Sequence, residues 1–294
     1  MPNISVEFDG SDNYATGGSI LSHEYNTPFS FAFWAKTTER WNFILSKREN
    51  TPFRGYSLYV TSGGLLEVCL CNTGGSSEIL KYSDTIIYKS RWQHIVVSYT
   101  GSGLASGISI FIDGTEDTTS VSADTLGSNT IVNSADFNLS GRTNGSTGEF
   151  QGNLFQVGAY DKALSLAEVQ EIYNGRVPID LTTLSTSGNL TNYWIDGEDI
   201  TFPTIEDKSG SDDLTMTSMA ANDIVFNAPG MALERTYPTS QLVAGPSETV
   251  TYFYRAWNTN TVDWEFWNSV GSPDPNPPSG GPITGLTLLD VRAS

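Results

Sequence analysis

Sulfur, imidazole and positive charge are all scarce in this chain. Its 294 residues include two cysteines and two histidines, with 15 Lys and Arg against 33 Asp and Glu, a formal net charge of −18. Each shortage excludes something. A surface this acidic repels a phosphate backbone, so nucleic-acid binding is not expected. Docking on anionic lipid is disfavoured for the same reason. No run of roughly 18 apolar residues occurs, so no membrane-spanning helix is expected. The opening Met1–Glu7 lacks the basic and apolar regions of a secretory leader, and none is expected. Two cysteines cannot staple a chain of this length. Cys69 and Cys71 share one face of a strand but are too rigidly spaced for an ordinary bridge, so two reduced thiols are expected. With so few Cys and His residues, a zinc site is not expected either.

Charge of either sign is also sparse, 16% of residues against a usual quarter or so. Hydrophobic residues make up 38% and aromatics 12%, enough for a sizeable core and unlike a disordered acidic tail. The exterior must then be built largely from Ser, Thr, Asn and Gly, as on many extracellular and virion β-proteins.

What the chain does have is strand signal. Phe29-Ser30-Phe31-Ala32-Phe33-Trp34-Ala35 alternates large and small side chains, as a strand with one buried face does. Tyr56–Val60, Thr61–Gly64 and Leu65–Cys71 read as a hairpin with a glycine turn. Trp92–Tyr99 pairs with Gly107–Gly114, and Asp113-Gly114 supplies a further turn. Asp136–Ser140 and Gly152–Tyr160 continue the pattern. One helix stands out: Ser165 and Glu168 form a capping box ahead of Leu166, Val169 and Ile172, and Asn174-Gly175 ends it. Many short strands with glycine turns and one short helix predict an all-β, antiparallel sandwich of two sheets.

These residues fall in a familiar order. Val6-Glu7-Phe8-Asp9-Gly10, the Phe29–Ala35 strand, Ile44–Lys47, Trp92-x-His94, Phe111-Ile112-Asp113-Gly114 and Ala163-Leu164-Ser165-x-x-Glu168 resemble the laminin-G-like domains of the concanavalin A-like lectin/glucanase superfamily, over roughly residues 4–176. The resemblance implies a jelly-roll sandwich. Tyr193-Trp194, Ile205–Gly210, Asp213–Met216 and Asp223–Phe226 are similar to a segment that often precedes the sandwich in related proteins; here it follows, and is expected to pack on the same sandwich. This arrangement resembles laminin-G-like structural proteins of bacteriophages. The sandwich is assigned to residues 1–230.

Residues 231–294 do not match and are assigned to a second unit. Thr249–Trp257 and Val262–Trp267 read as an aromatic hairpin, too small to be stable alone. Ser272–Pro282 has polyproline character, and Ile283–Val291 is a last apolar stretch. Clustered aromatics with little core of their own point to an interface. Trp257, Trp264, Phe266 and Trp267, with Pro277, Ile283 and Leu286 on an extended docking arm, are the candidate contacts. The alternative is that the hairpin folds back on the sandwich.

Several side chains bear on chemistry. Glu7 and Asp9 alternate on one face near the spacing of a retaining glycosidase pair, but the Glu-x-Asp-x-(x)-Glu pattern of the family's glucanases is incomplete, since Ser11 and Asp12 follow Gly10; no enzyme is expected. His94 is expected to be buried and hydrogen-bonded, while His23 falls in a loop. Calcium is the ion best suited to acid-rich loops, and the densest set nominates Asp196, Asp199, Asp207 and Asp212. Against this, related sandwiches often read Gly-x-Ile-Asp-Glu-Val where this chain has Phe155 and Gln156, and solvated acidic loops are the default reading. Glycan contacts are nominated at Trp41, Tyr56, Arg142 and Asn144. Asn3, Asn138, Asn144 and Asn189 head glycosylation sequons to which no role is given.

The function expected is a non-enzymatic virion structural protein, a capsid decoration or tail appendage on the virion surface. It would be held to other virion proteins by the C-terminal arm, homo-oligomeric, and able to meet glycans. The rivals are a free secreted lectin and a glycoside hydrolase.

Overall fold

The computed structural model describes residues 4–37, 39–87, 89–142, 148–197 and 200–229, and the strand backbones 251–258, 263–270 and 286–293. The chain divides into two compact units, Met1–Gly230 and Met231–Ser294.

The first unit opens with β1 (Ile4–Asp9), β2 (Tyr14–Gly18), β3 (Phe29–Thr37), β4 (Asn42–Arg48), β5 (Gly55–Val60) and β6 (Leu65–Thr73). Then come β7 (Ser77–Ile86), β8 (Lys89–Tyr99), β9 (Ile108–Ile112), β10 (Thr115–Glu116), β11 (Thr119–Asp124), β12 (Phe137–Leu139) and β13 (Gln151–Tyr160). After α1 (Leu166–Tyr173) follow β14 (Leu190–Trp194), β15 (Thr204–Ile205), β16 (Leu214–Thr217) and β17 (Ile224–Phe226). Two antiparallel sheets result. The first runs β10-β9-β8-β3-β13-β1-β17, with β14 also paired to β13, and the second runs β11-β7-β6-β5-β4-β12-β2-β16-β15. This is the expected all-β jelly-roll sandwich. The segment after the helix divides between both sheets: β14 and β17 join the first, β15 and β16 the second.

Alternation decides which side chains fill the space between the sheets. Phe31 from β3 meets Tyr56 of β5 at 5.6 Å and Phe137 of β12 at 6.2 Å, and Phe137 in turn stacks on Trp194 at 5.4 Å. Two lysines tie sheets and loops together from within. Lys81 Nζ donates to the Ala105 and Ile108 carbonyls at 3.1 and 2.5 Å, and Lys47 Nζ donates to Ala135 at 2.6 Å. Burial holds both ammonium groups below the usual lysine range.

The helix covers the other side of the first sheet. Ser165 Oγ accepts from Glu168 N, the Glu168 carboxylate accepts from Ser165 N at 2.9 Å, and Asn174 closes the helix in the left-handed conformation. Val169 and Ile172 pack on Ala32, Val96, Phe111 and Tyr160. Each fully buried aliphatic chain contributes about 1.5–3 kcal/mol, more than an eight-residue helix can supply from propensity. Gly114, at φ 74°, allows this docking: a Cβ there would lie 2.4 Å from Tyr173 Cδ1.

In the second unit β18 (Thr251–Asn258), β19 (Asp263–Val270) and β20 (Leu286–Ala293) form an antiparallel sheet in the order β19-β18-β20. The register opposes Trp257 to Trp264, Tyr254 to Trp267 and Arg255 to Phe266. The last strand was expected as part of an extended arm; it instead pairs with the chain's own hairpin, with Leu286 opposite Asn258. A two-stranded ribbon leaves both edges unpaired, and a third strand satisfies one of them. Pro277 and Ile283 lie outside the described residues.

Candidate functional site

The outward face of the second sheet carries the chemistry. In β5, Tyr56, Leu58 and Val60 are turned into the sandwich, so Ser57 and Tyr59 point out. Register then fixes their companions. Ser57 opposes Cys69 and Ser46, Tyr59 opposes Glu67, and Glu67 opposes Tyr82. Cys71 opposes Gly55 and Glu78, and Arg48 opposes Gly55. Four consecutive strands, β4 to β7, thus set aromatic, acidic, basic and thiol groups on one surface.

Two guanidinium groups share one ring on it. The Phe53 centroid lies 5.4 Å from Arg48 Cζ and 5.3 Å from Arg142 Cζ, and Arg142 is also 5.5 Å from the Phe43 ring. These are cation–π distances. Arg48 is fixed by donating Nε to the Phe53 carbonyl at 3.0 Å and Nη1 to Ser57 Oγ at 3.4 Å. Arg142 is carried by the chain leaving β12. There Ser140 N donates to Ile44, Gly141 N donates to Phe43, and Ser46 Oγ donates to the Gly141 carbonyl at 2.9 Å. Phe43 stacks tilted on Tyr59 at 4.7 Å. Trp41 stands beside it, 65% exposed at φ 64°, its N–H held by the Val60 carbonyl.

Partial burial reshapes the titrations here. Desolvation pushes the Glu67 carboxyl up, against the pull of the Tyr82 hydroxyl and Arg48. Tyr82 is pushed up to about 12, first by desolvation and then by Glu67. Burial and the neighbouring Arg48 charge lower the Arg142 guanidinium, which stays protonated. Cys69 donates its S–H to Cys71, which raises Cys69 and lowers Cys71; both thiols are free and buried, as expected.

Of the four nominated glycan residues, the fold brings Arg142 and Trp41 to this surface around Phe43. Tyr56 is corrected: it is 3% exposed, packs on Phe29 and Phe31, and donates its hydroxyl to the Leu21 carbonyl at 2.9 Å, so it presents no ring to solvent. Asn144 lies outside the described residues. Phe43, Arg48, Phe53, Tyr59, Glu67 and Tyr82 were missed. The signal for Tyr59, Glu67 and Tyr82 was the period-two alternation; Phe53 and Arg142 come from turns that no periodicity marks.

The nominated calcium ligands fare differently. Asp207 Oδ1 accepts from Tyr193 N at 2.8 Å and from Ser209 N and Oγ at 3.1 Å, while Oδ2 accepts from Asn192 Nδ2 at 2.7 Å and Asp212 N at 3.3 Å. Asp212 shares the Asn192 amide at 3.2 Å. This carboxylate anchors a loop, and its lone pairs are taken by N–H and O–H donors rather than held open for a cation. Asp196 follows β14, and Asp199 lies outside the described residues. Among the described residues no three His, Cys, Asp or Glu side chains gather to hold a metal. Glu7 and Asp9 are exposed on β1, and Asp9 accepts from Ser11 N in the following turn. His94 is buried between Trp34 and Tyr173 as expected, but its Nδ1 has no hydrogen-bond partner, and His23, expected in a loop without a role, stacks on Phe29 at 4.4 Å.

A family model described as the concanavalin A-like lectin/glucanases superfamily, of the laminin G type, matches residues 9–170, more than half of the chain. The chain belongs to this superfamily. Among solved structures, a candidate carbohydrate-binding protein from Bacteroides ovatus shares 16% identity at a TM-score of 0.53, over 78% of this chain and 61% of its own. This chain therefore spans about three fifths of that protein. A pentraxin from Limulus polyphemus (16% identity, TM-score 0.44) aligns over 58% of this chain and 82% of its own. A sialidase carbohydrate-binding module of Ruminococcus gnavus bound to sialyllactose (17%, 0.46) aligns over 57% and 96%. No curated protein matches the sequence. Phe155 is fully buried, and Gln156 Nε2 donates to the Ile179 carbonyl at 2.7 Å and the Tyr193 hydroxyl at 3.0 Å. Both positions pack the interior.

Proposed function

We propose that this chain is a non-enzymatic, glycan-recognising structural protein of a virus particle, displayed on the virion surface with residues 231–294 as its anchor. The observation that carries the glycan part is the open sheet face on which Arg48 and Arg142 flank Phe53 and Trp41 stands exposed at the edge. Sugar rings have apolar C–H faces and hydroxyl rims. An exposed indole serves the first, and fixed guanidinium and carboxylate groups serve the second. The candidate carbohydrate-binding relative from Bacteroides ovatus supports the same reading.

The incomplete Glu-x-Asp-x-(x)-Glu pattern at Glu7 and Asp9 supports binding without cleavage. A glycan array probed with the full chain and with Arg142→Ala tests the face; equal signals for both would sink it.

The particle role rests on the second unit. A three-stranded sheet whose first two strands carry Trp257, Trp264 and Trp267, with the polyproline-like run Ser272–Pro282 falling before the third, suits self-association or docking on a neighbouring virion protein. Mass spectrometry of purified particles settles it: many copies per particle are expected, and absence overturns the proposal.

A further inference from the structure

At the rim of the sandwich, away from the sheet face, a cleft of about 230 Å³ opens beside the β9–β10 turn. Its deepest polar side chain is Gln93, 1% exposed, whose Oε1 and Nε2 both lack a hydrogen-bond partner in the protein. Burying a carboxamide without partners is unfavourable. Around it stand Arg91, Asp113, Thr115 and Glu116, with Ile112 as the apolar wall.

The charges are largely matched. Asp113 Oδ2 lies 2.7 Å from Arg176 and 4.0 Å from Arg91, and its Oδ1 accepts from His94 N. Asp117 is engaged with Asp84 N, Thr85 N and Thr85 Oγ1. What the cleft offers a ligand is a neutral donor–acceptor pair at its floor, the Arg91 donors and Glu116 acceptors at its lip, and one apolar wall. A hydroxyl both donates and accepts, so two adjacent hydroxyls give the Gln93 Oε1 a donor and its Nε2 an acceptor. A ring bearing them places its C–H edge on Ile112. The volume is below that of a drug-sized site and suits a single ring.

We infer that this rim cleft, with Gln93 at its floor, is a binding site for one neutral polyhydroxylated ring, a sugar residue or cyclic polyol, separate from the sheet face. The test is a titration of the full chain with myo-inositol, galactose and glucose, followed through backbone amide NMR shifts. The expected result is saturable shifts at Thr85, Arg91–His94 and Ile112–Asp117 for at least one of them. Gln93→Leu removes only an unpartnered amide, so it folds with an equal or higher melting temperature, while affinity falls about tenfold or more. Glu116→Ala, at an exposed residue, weakens binding about fivefold and decides the matter should Gln93→Leu fail to fold. The inference is overturned by shifts at none of these amides, by shifts that both variants leave intact, or by a response to glycine or calcium alone. Shifts confined to Phe43, Tyr59, Glu67 and Arg142 would uphold the sheet face and reject the cleft; the converse pattern would do the opposite.

Discussion

Trp41 is the residue on which the proposed glycan face is most directly tested. A bulky side chain at positive φ carries about 1–2 kcal/mol of backbone strain, and Trp41 at φ 64° is also 65% exposed, so core packing does not repay that strain. On the proposed glycan reading, the ring is kept in the open for the sugar it would meet. Trp41→Gly removes the strain but adds about 0.5–1 kcal/mol of chain entropy in the unfolded state. The melting temperature should therefore stay near wild type, while calorimetric affinity for an array-positive glycan falls about tenfold. Unchanged affinity would remove Trp41 from the site.

The two histidines act in the opposite sense, as residues that must stay uncharged. Burial pushes His94 down to about 3 and His23 to about 4, with Lys47 adding to the latter. Both are neutral in the folded protein at pH 7, whereas an unfolded histidine gains its proton near pH 6.5. As pH falls below that value the unfolded chain binds protons that the folded chain cannot, so stability declines. The carboxylates held low, Glu24, Glu168 and Glu171, respond only near and below their ordinary value of 4.5, while Glu67, pushed up by desolvation, takes its proton first in the folded chain and opposes the fall. The decline between pH 6.5 and 5 is therefore assigned to the histidines. The melting temperature should fall across that interval, and His94→Phe, which keeps a ring between Trp34 and Tyr173, should flatten the fall. An identical slope in the variant would refute the assignment.

At the scale of elements, the turn between β9 and β10 joins several structures at once. Asp113 at φ 51° and Gly114 at φ 74° make the tight turn, Asp113 holds Arg176, and the absent side chain of Gly114 admits Tyr173. Gly114→Ala combines left-handed strain with a methyl group 2.4 Å from that ring, and should cost about 3 kcal/mol in urea unfolding. Ser165→Ala, which only uncaps α1, should cost about 1 kcal/mol. The reverse ranking would mean that capping rather than docking fixes the helix. These two features were legible in the sequence, since a capping box and an Asp-Gly pair are local signals. So were β3, β8 and β13, whose alternation spans many residues. The short β10 and β15 were not, because two-residue strands exist only through their neighbours. The candidate face was half legible for the same reason. Arg142 and Trp41 stand out as unusual residues near loops, but Arg48, Glu67 and Tyr82 meet them only through cross-strand register. Tyr56 misled because Gly55 beside it reads as a loop, whereas the Tyr56-Leu58-Val60 alternation places it inside the sandwich.

For the whole molecule, the proposed particle role assigns folding of the sandwich to the first unit and attachment to the second. The hydrogen-bond ladders of both large sheets close within residues 4–226, and the small sheet closes within residues 251–293. Neither needs a strand from the other, so removing residues 231–294 should leave a sandwich that unfolds in one cooperative transition. The net charge of −18 spread over a mostly uncharged polar exterior keeps such units apart by mutual repulsion. If the proposed particle role holds, packing many copies requires a specific attachment strong enough to overcome that repulsion, and the tryptophan-rich sheet is the part with the composition to supply it. The truncated chain should therefore be monomeric by analytical ultracentrifugation and absent from purified particles, yet keep its glycan-array signal. Normal incorporation of the truncated chain would move the anchor to the sandwich itself. Loss of the array signal would mean that the second unit contributes to glycan recognition as well as to attachment.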